Sequence, residues 1–207
     1  MIDHMSITLL LIDTETLGKK ETAVVLSIGV VAFTFEIACP YITYVESGFY
    51  CKFDAAEQIM RYKRTVGDGV PEWWKTQPPE ARAVTRPSPQ DVSMVQGLTD
   101  LATWVKDRTQ YQFKKSYVWA RGPAFDFPKV EDMYDQSGVT CPYNNWRQRD
   151  VRTYIDIMAG VDTGVYRPRR SMEGNISHHA LHDAAKDALA MQELYALAAG
   201  GEEEIPF

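Results

Sequence analysis

The sequence has little cysteine. Its three thiols, Cys39, Cys51 and Cys141, are scattered and form no Cys-x-x-Cys pair. That argues against a disulfide framework or a zinc knuckle and for reduced, intracellular thiols. Positive charge is also short. Lys and Arg number 22 against 28 Asp and Glu, for a formal net charge of −6 and a pI of about 5.3. A protein that grips duplex nucleic acid in general is normally basic, so any nucleic-acid contact here should be weak and transient. Long apolar runs are missing too. The longest, residues 24–33, is about half a membrane span and contains Ser27 and Gly29. No basic stretch precedes the first apolar run, where Asp3 and His4 stand instead, so no signal peptide is expected. Internal repeats and domain-splitting linkers are absent as well. These absences predict a soluble, cytoplasmic protein that makes no use of membranes.

What is present is an ordinary globular composition, 45% hydrophobic and 24% charged over 207 residues, enough for one good core. Residues 7–13 read as a strand buried on both faces, because the apolar run is continuous. β-Branched and aromatic residues over 22–36 predict a long second strand, and alternation over 41–53 predicts a third. Three strands before any clear helix suggest an antiparallel meander. A short helix is expected over 54–64, and a helix start at 71–74. Residues 89–108 read as a long amphipathic helix capped by Ser88. Residues 116–120 read as a strand, 126–136 as a helix, 149–155 as a fifth strand or strand–helix junction, and 163–177 as a loop. The last helix, 179–199, carries a buried stripe from Leu181 through Ala184 and Ala188 to Met191. The order predicts one α/β domain with a mixed central sheet of about five strands, flanked by helices.

The first strand ends in acid. Side chains alternate along a strand, so Asp13 and Glu15 point the same way. Neighbouring acids on a buried strand repel each other and are poorly solvated, and a divalent cation relieves both problems. Alone, Asp13-Thr14-Glu15 reads more simply as a strand running out into water, since such triplets are common. Alone, Asp126 reads as a helix N-cap. The final helix then opens with Ser177-His178-His179-Ala180-Leu181-His182-Asp183 and reaches Asp187 one turn later. Carboxylates from three segments can hold two divalent ions about 3.5–4 Å apart for an in-line phosphoryl displacement. Oxygen ligands suit Mg²⁺ or Mn²⁺ rather than zinc, and a histidine titrating near neutrality can take the proton from the attacking water. Spacing alone leaves two completions, His178 with Asp183 and His182 with Asp187. Five residues along a helix is about 140° of rotation, so a histidine ahead of the helix meets its aspartate better than one within it. That favours His178/Asp183.

In this order, Asp13-Thr14-Glu15, Phe125-Asp126 and His178-x-x-x-x-Asp183 resemble the DEDDh group of DnaQ-like 3′–5′ exonucleases. Pro71-Glu72-Trp73-Trp74, Trp119-Ala120-Arg121-Gly122, Phe125-Asp126-Phe127-Pro128 and Gln148-Arg149-Asp150-Val151-Arg152-Thr153 are similar to its phage exonuclease A (DexA) branch. The resemblance spans most of the chain. It implies a ribonuclease H-like fold, two divalent ions (Mg²⁺ or Mn²⁺) held by Asp13, Glu15, Asp126 and Asp183, and His178 as general base. It also implies a phage or prophage origin. Without a linker or repeat to divide it, residues 1–199 read as a single exonuclease domain, and 200–207, opening with Gly200-Gly201-Glu202-Glu203-Glu204, as an acidic tail. The expected reaction is hydrolysis of single-stranded DNA from its 3′ end to nucleoside 5′-monophosphates. RNA is the alternative substrate on the same fold, and a non-catalytic nucleic-acid-binding scaffold is the rival from another class. Stacking and phosphate contact suit Trp73 and Trp74, one of them expected in the core, and a set of arginines: Arg121, Arg147, Arg149, Arg152, Arg167, Arg169 and Arg170. Trp74, Arg121 and Arg169 are the foremost of these. The resemblance sets Thr16 and Leu17 against the terminal nucleotide.

Overall fold

A computed structural model describes residues 8–36 and 38–200. Ile7, expected to open the first strand, and residues 201–207 of the expected acidic tail lie outside the described residues. The chain runs β1 (Leu9–Thr16), β2 (Val25–Phe33), α1 (Tyr41–Ser47), β3 (Phe49–Lys52), α2 (Ala55–Tyr62), α3 (Val70–Lys75), α4 (Pro79–Arg82) and α5 (Met94–Arg108). It continues through β4 (Val118–Ala120), α6 (Pro123–Ser137), β5 (Gln148–Asp150), α7 (Val151–Ala159) and α8 (Ala180–Ala198). The sheet order is β3-β2-β1-β4-β5. β2 runs antiparallel to both of its neighbours, β1 and β3, and β4 and β5 run parallel to β1. This is the mixed five-stranded sheet with an initial meander that the sequence predicts. Among the described residues, no helix is long and apolar enough to cross a membrane.

Strand β1 is central, and its alternation divides the core. Leu10 and Ile12 pack with Leu98 and Leu101 of α5 and Phe127 and Val130 of α6. Leu9 and Leu11 pack on the other face with Val151 and Ile155 of α7 and Ala184 and Ala188 of α8. The period of two then decides where the polar end of the strand points. Positions 13 and 15 continue the α8 face, and position 14 continues the α6 face.

Gly29 makes that arrangement possible. It pairs with Asp13 across the β1–β2 ladder. A Cβ placed on it would lie 2.1 Å from the Leu181 backbone nitrogen and 2.3 Å from the Ala180 carbonyl carbon. The first turn of α8 therefore rests directly on the β2 backbone, and an isolated glycine inside an apolar strand is the sequence mark of such a close approach. Because backbone meets backbone, no side-chain rotamer relieves the clash. We expect Gly29→Ala to cost about 3 kcal/mol or more and to displace α8. A large drop in melting temperature, with activity lost in parallel, checks this.

Three local expectations are corrected. Residues 41–47 form helix α1 and only 49–52 form a strand. Pro40 sits at the helix N-cap, and Tyr41 and Tyr44 bury one face at helical spacing, so tertiary packing overrides the strand propensity of Tyr, Ile, Thr and Val. Helix α5 starts at Met94, not near 89. Its cap is Ser93, whose Oγ accepts from the Gln96 N–H at 3.2 Å, while Val92 is held out in an extended bridge to Phe53. Asp126 is not an N-cap. Helix α6 begins earlier, at Pro123 behind Gly122, and Asp126 lies buried in its first turn.

Candidate active site

A cavity of about 900 Å³ opens at the C-terminal ends of β1 and β4. Asp13 and Glu15 reach it from β1, Asp126 from the first turn of α6, and Asp183 and Asp187 from the first two turns of α8. Thr14, on the opposite face of β1, donates its hydroxyl to Asp126 Oδ1 at 2.6 Å. One three-residue stretch thus supplies two acids and positions a third.

Packed together, Asp13, Glu15 and Asp126 resist ionisation. Burial pushes Asp13 well above the usual carboxylate range, and Asp126, Glu15, Asp183 and Asp187 push it further. Burial, with Asp183 and Asp126 beside it, raises Glu15 to about 8. Burial lifts Asp126 to about 6, against the pull of the Thr14 hydroxyl. Acids with native values raised in this way stabilise the fold fully below their unfolded values, and that contribution is lost as pH rises through the native value. His179 acts in the opposite sense, because burial and then His182 lower it to about 4; its effect is complete by about pH 6.5. Above that point the acids dominate. We expect the metal-free protein to lose thermal stability as pH rises from about 6.5 to 8.5, and Mg²⁺ to raise its melting temperature more at the upper pH than at the lower. Thermal melts in EDTA and in Mg²⁺ check both.

The two histidine–aspartate pairs have different environments. His178 lines the cavity. It stands just ahead of α8 at φ 58°, and its backbone N–H donates to Asp183 Oδ2 at 2.9 Å. Glu15, His178 and Asp183 each bring a ligand atom within 4.8 Å of the others. His182 turns away: its Nδ1 is 2.7 Å from the Tyr41 hydroxyl, which also donates to Asn175 at 3.1 Å. His179, the N-cap of α8, stacks on Tyr50. Asp187 faces the cavity but is gripped by Arg121, with Nε 2.8 Å and Nη2 2.7 Å from its carboxylate oxygens. Arg121 Nη1 is committed as well, to the Gly164 carbonyl at 2.6 Å. Lys186 Nζ lies 2.6 Å from Asp183 Oδ1. Sequence reasoning missed Lys186, one turn beyond Asp183 in the same helix, and the Arg121–Asp187 pair, whose partners are far apart in the chain.

The expected substrate contacts divide. Trp74 is 3% exposed, and its indole N–H donates to the Thr16 carbonyl at 3.0 Å. Trp73 is 43% exposed at the cavity mouth, edge-on to His178 at 5.0 Å. The buried member of the pair thus ties α3 to the end of β1, and the open ring belongs to Trp73. The Thr16 hydroxyl is turned to the Gly18 carbonyl at 2.8 Å. Leu17 packs on the apolar cluster of Val24, Leu26 and Trp74 rather than lining the cavity. Arg169 is exposed and also outside the cavity lining; its backbone N–H, with that of Arg170, donates to the buried Glu193 carboxylate. The Tyr166 hydroxyl donates there too. Glu193 therefore anchors the loop that leads to His178.

Known proteins resemble this chain in sequence and in fold. Residues 8–195 match the model of the 3′–5′ exoribonuclease Rv2179c-like domain. An exodeoxyribonuclease of Enterobacteria phage T4 is 33% identical over 210 residues, spanning 93% of this chain and 91% of that protein. Among solved structures, the nuclease domain of 3′hExo, a DEDDh family member bound to rAMP, superposes with a TM-score of 0.58 at 14% identity, covering 99% of this chain and 98% of that one. The zinc-bound E. coli ExoI–ssDNA complex gives 0.56 at 14% identity, over 95% of this chain and 42% of the other. These likenesses bear out the ribonuclease H-like fold.

Proposed function

The chain belongs to the Rv2179c-like 3′–5′ exoribonuclease domain family and is a 3′–5′ exonuclease, and we propose that it hydrolyses single-stranded DNA from the 3′ end to nucleoside 5′-monophosphates. One observation carries the reading. Asp13, Glu15, Asp126 and Asp183 converge from three segments on one cavity, and burial and mutual repulsion drive Asp13, Glu15 and Asp126 toward protonation. A structural polar cluster would be satisfied; this one is short of positive charge.

The residues present fit divalent cations. The donors are carboxylate oxygens with one imidazole, the set that suits Mg²⁺ or Mn²⁺. Lys186 already offers Asp183 an ammonium at 2.6 Å, which supports a demand for cationic charge at that carboxylate. We assign Asp13, Glu15, Asp126 and Asp183 to hold two such ions. Bound there, they supply Lewis-acid stabilisation of the negative charge that builds on the reacting phosphate. His178 takes the proton from the attacking water on a ring nitrogen. Asp183 fixes the His178 backbone through the N–H bond, so the base is oriented by a residue of the same site. The Thr16–Leu17 backbone, braced by Trp74, forms a ledge for the terminal nucleotide, and Trp73 offers its base a stacking face. Arg121 acts through Asp187 rather than on the substrate. Residues 1–199 act as one exonuclease domain. The three free thiols fit an intracellular enzyme, and the phage T4 relative fits a phage or prophage origin.

DNA is favoured by the name of that relative, which is similar along nearly its whole length. RNA is the second reading, favoured by the family's own description. Digesting DNA and RNA oligonucleotides of one sequence decides between them. We expect kcat/KM at least about tenfold higher on DNA, a difference of about 1.4 kcal/mol in transition-state binding. The reverse ratio replaces the substrate and leaves the site.

A further inference from the structure

We propose that the outer edge of the sheet, along β5, is a second binding site for the strand: single-stranded nucleic acid 5′ of the reacting nucleotide lies there, its phosphates on Arg147 and Arg149 and a base on Trp146. This rests on the reading that a strand enters the cavity by its 3′ end. Arg147, the last residue of the 3-10 turn Asn145–Arg147 ahead of β5, and Arg149 of β5 hold their guanidinium groups over one ring, Tyr117, at 4.8 and 4.3 Å from its centroid. Among the described residues, no carboxylate lies within 4.0 Å of either group. Two cations on one aromatic face repel each other, and in a chain of net charge −6 an unpaired pair is a local reversal of sign. An anion between them removes the repulsion. Trp146, beside them, is 81% exposed, an open indole face of the kind on which successive bases stack.

The edge is continuous with the catalytic cavity. A groove of about 550 Å³ runs beside β5, between Trp119 and the α7 residues Tyr154 and Ile157. Its near end is formed by Pro123 and Thr153, and their chain neighbours Gly122 and Arg152 line the cavity. From there the groove is lined by Asp150, Arg149, Gln148 and Asn145, against the direction of β5, and Trp146 and Arg147 are the residues between the last two. Asp150, the acid in its wall, is turned to the start of α7: its oxygens accept from the Arg152 and Thr153 N–H groups and from the Thr153 hydroxyl, so its charge is partly offset by the helix N-terminus.

The test is fluorescence anisotropy with a 5′-fluorescein oligothymidylate of about ten nucleotides, linked by phosphorothioates to resist cleavage, in Mg²⁺. Arg147→Ala/Arg149→Ala should weaken binding at least about tenfold. It should also flatten the plot of log K against log salt by about 1.4, because two phosphates of a single strand are no longer neutralised. Trp146→Ala should weaken binding by about tenfold. Trp146 is exposed, whereas Arg147 and Arg149 are half-buried and Arg149 Nη1 donates to the Trp146 and Gln148 carbonyls, so melting temperature is measured alongside to report on folding. On cleavable DNA, both variants should raise KM for the long substrate and leave turnover of a dinucleotide unchanged. Unchanged affinity and salt slope overturn the proposal. So does a Trp146→Ala protein that keeps its affinity but dissociates from dimer to monomer, which would make this edge a contact between two copies. A wild-type protein that binds but cuts nothing refutes the catalytic reading instead, and the anisotropy still decides the edge.

Discussion

Asp13→Asn should abolish turnover and at the same time make the metal-free protein more stable. The two effects share one cause. Asp13 sits at the centre of the acid cluster, where burial and four neighbouring carboxylates oppose its ionisation. Asn keeps the shape and removes the charge. Without metal the fold is relieved of repulsion, so the melting temperature near pH 8 should rise measurably above that of the wild type. With substrate, a ligand of the proposed ion pair is gone, and several kcal/mol of transition-state stabilisation go with it, or a factor of about 10³ or more in kcat. Melts in EDTA and single-turnover cleavage in Mg²⁺ measure the two. Loss of activity with a lower melting temperature would mean that Asp13 is a structural residue whose removal damages the fold.

His178 and His182 provide the second large effect. We expect His178→Ala to lower kcat by about 10²–10⁴-fold with little change in KM or melting temperature, because its ring faces the cavity. His182→Ala should do the reverse. It removes the partner of the Tyr41 hydroxyl and the ring packed against His179, so stability should fall by about 1–2 kcal/mol while kcat stays within a few-fold. Equal, mild losses of kcat at both positions would remove either histidine from the role of base.

These two expectations trace to what could and could not be read from the chain. The paired acids of β1 were legible because strand alternation is strict and fixes the facing of positions 13 and 15 without knowledge of the rest of the fold. Helical rotation favours His178 over His182 as the partner of the site, and of the two only His178 lines the cavity; its role as base is the proposal that these variants test. Residues 41–47 were misread because Tyr, Ile, Thr and Val suit a strand locally, whereas burial of Tyr41 and Tyr44 beside α8 is a long-range fact. The start of α5 was misread because Ser88 and Ser93 both look like caps, and the bridge from Val92 to Phe53 that selects Ser93 joins distant segments. Arg121 and Asp187 gave no sequence signal as a pair, since 66 residues separate them. Gly29 did give one. A glycine inside an uninterrupted apolar strand has no turn to make, and here it marks where α8 must touch the sheet.

The most direct measurement is a time course on single-stranded DNA labelled at the 3′ or at the 5′ end, with Mg²⁺, Mn²⁺ or EDTA. The account predicts that the 3′ label appears at once as a mononucleotide, that the 5′ label passes through a ladder of shortening strands, and that EDTA stops both. Release of the 5′ label as the first product, or cleavage that persists in EDTA, would contradict it.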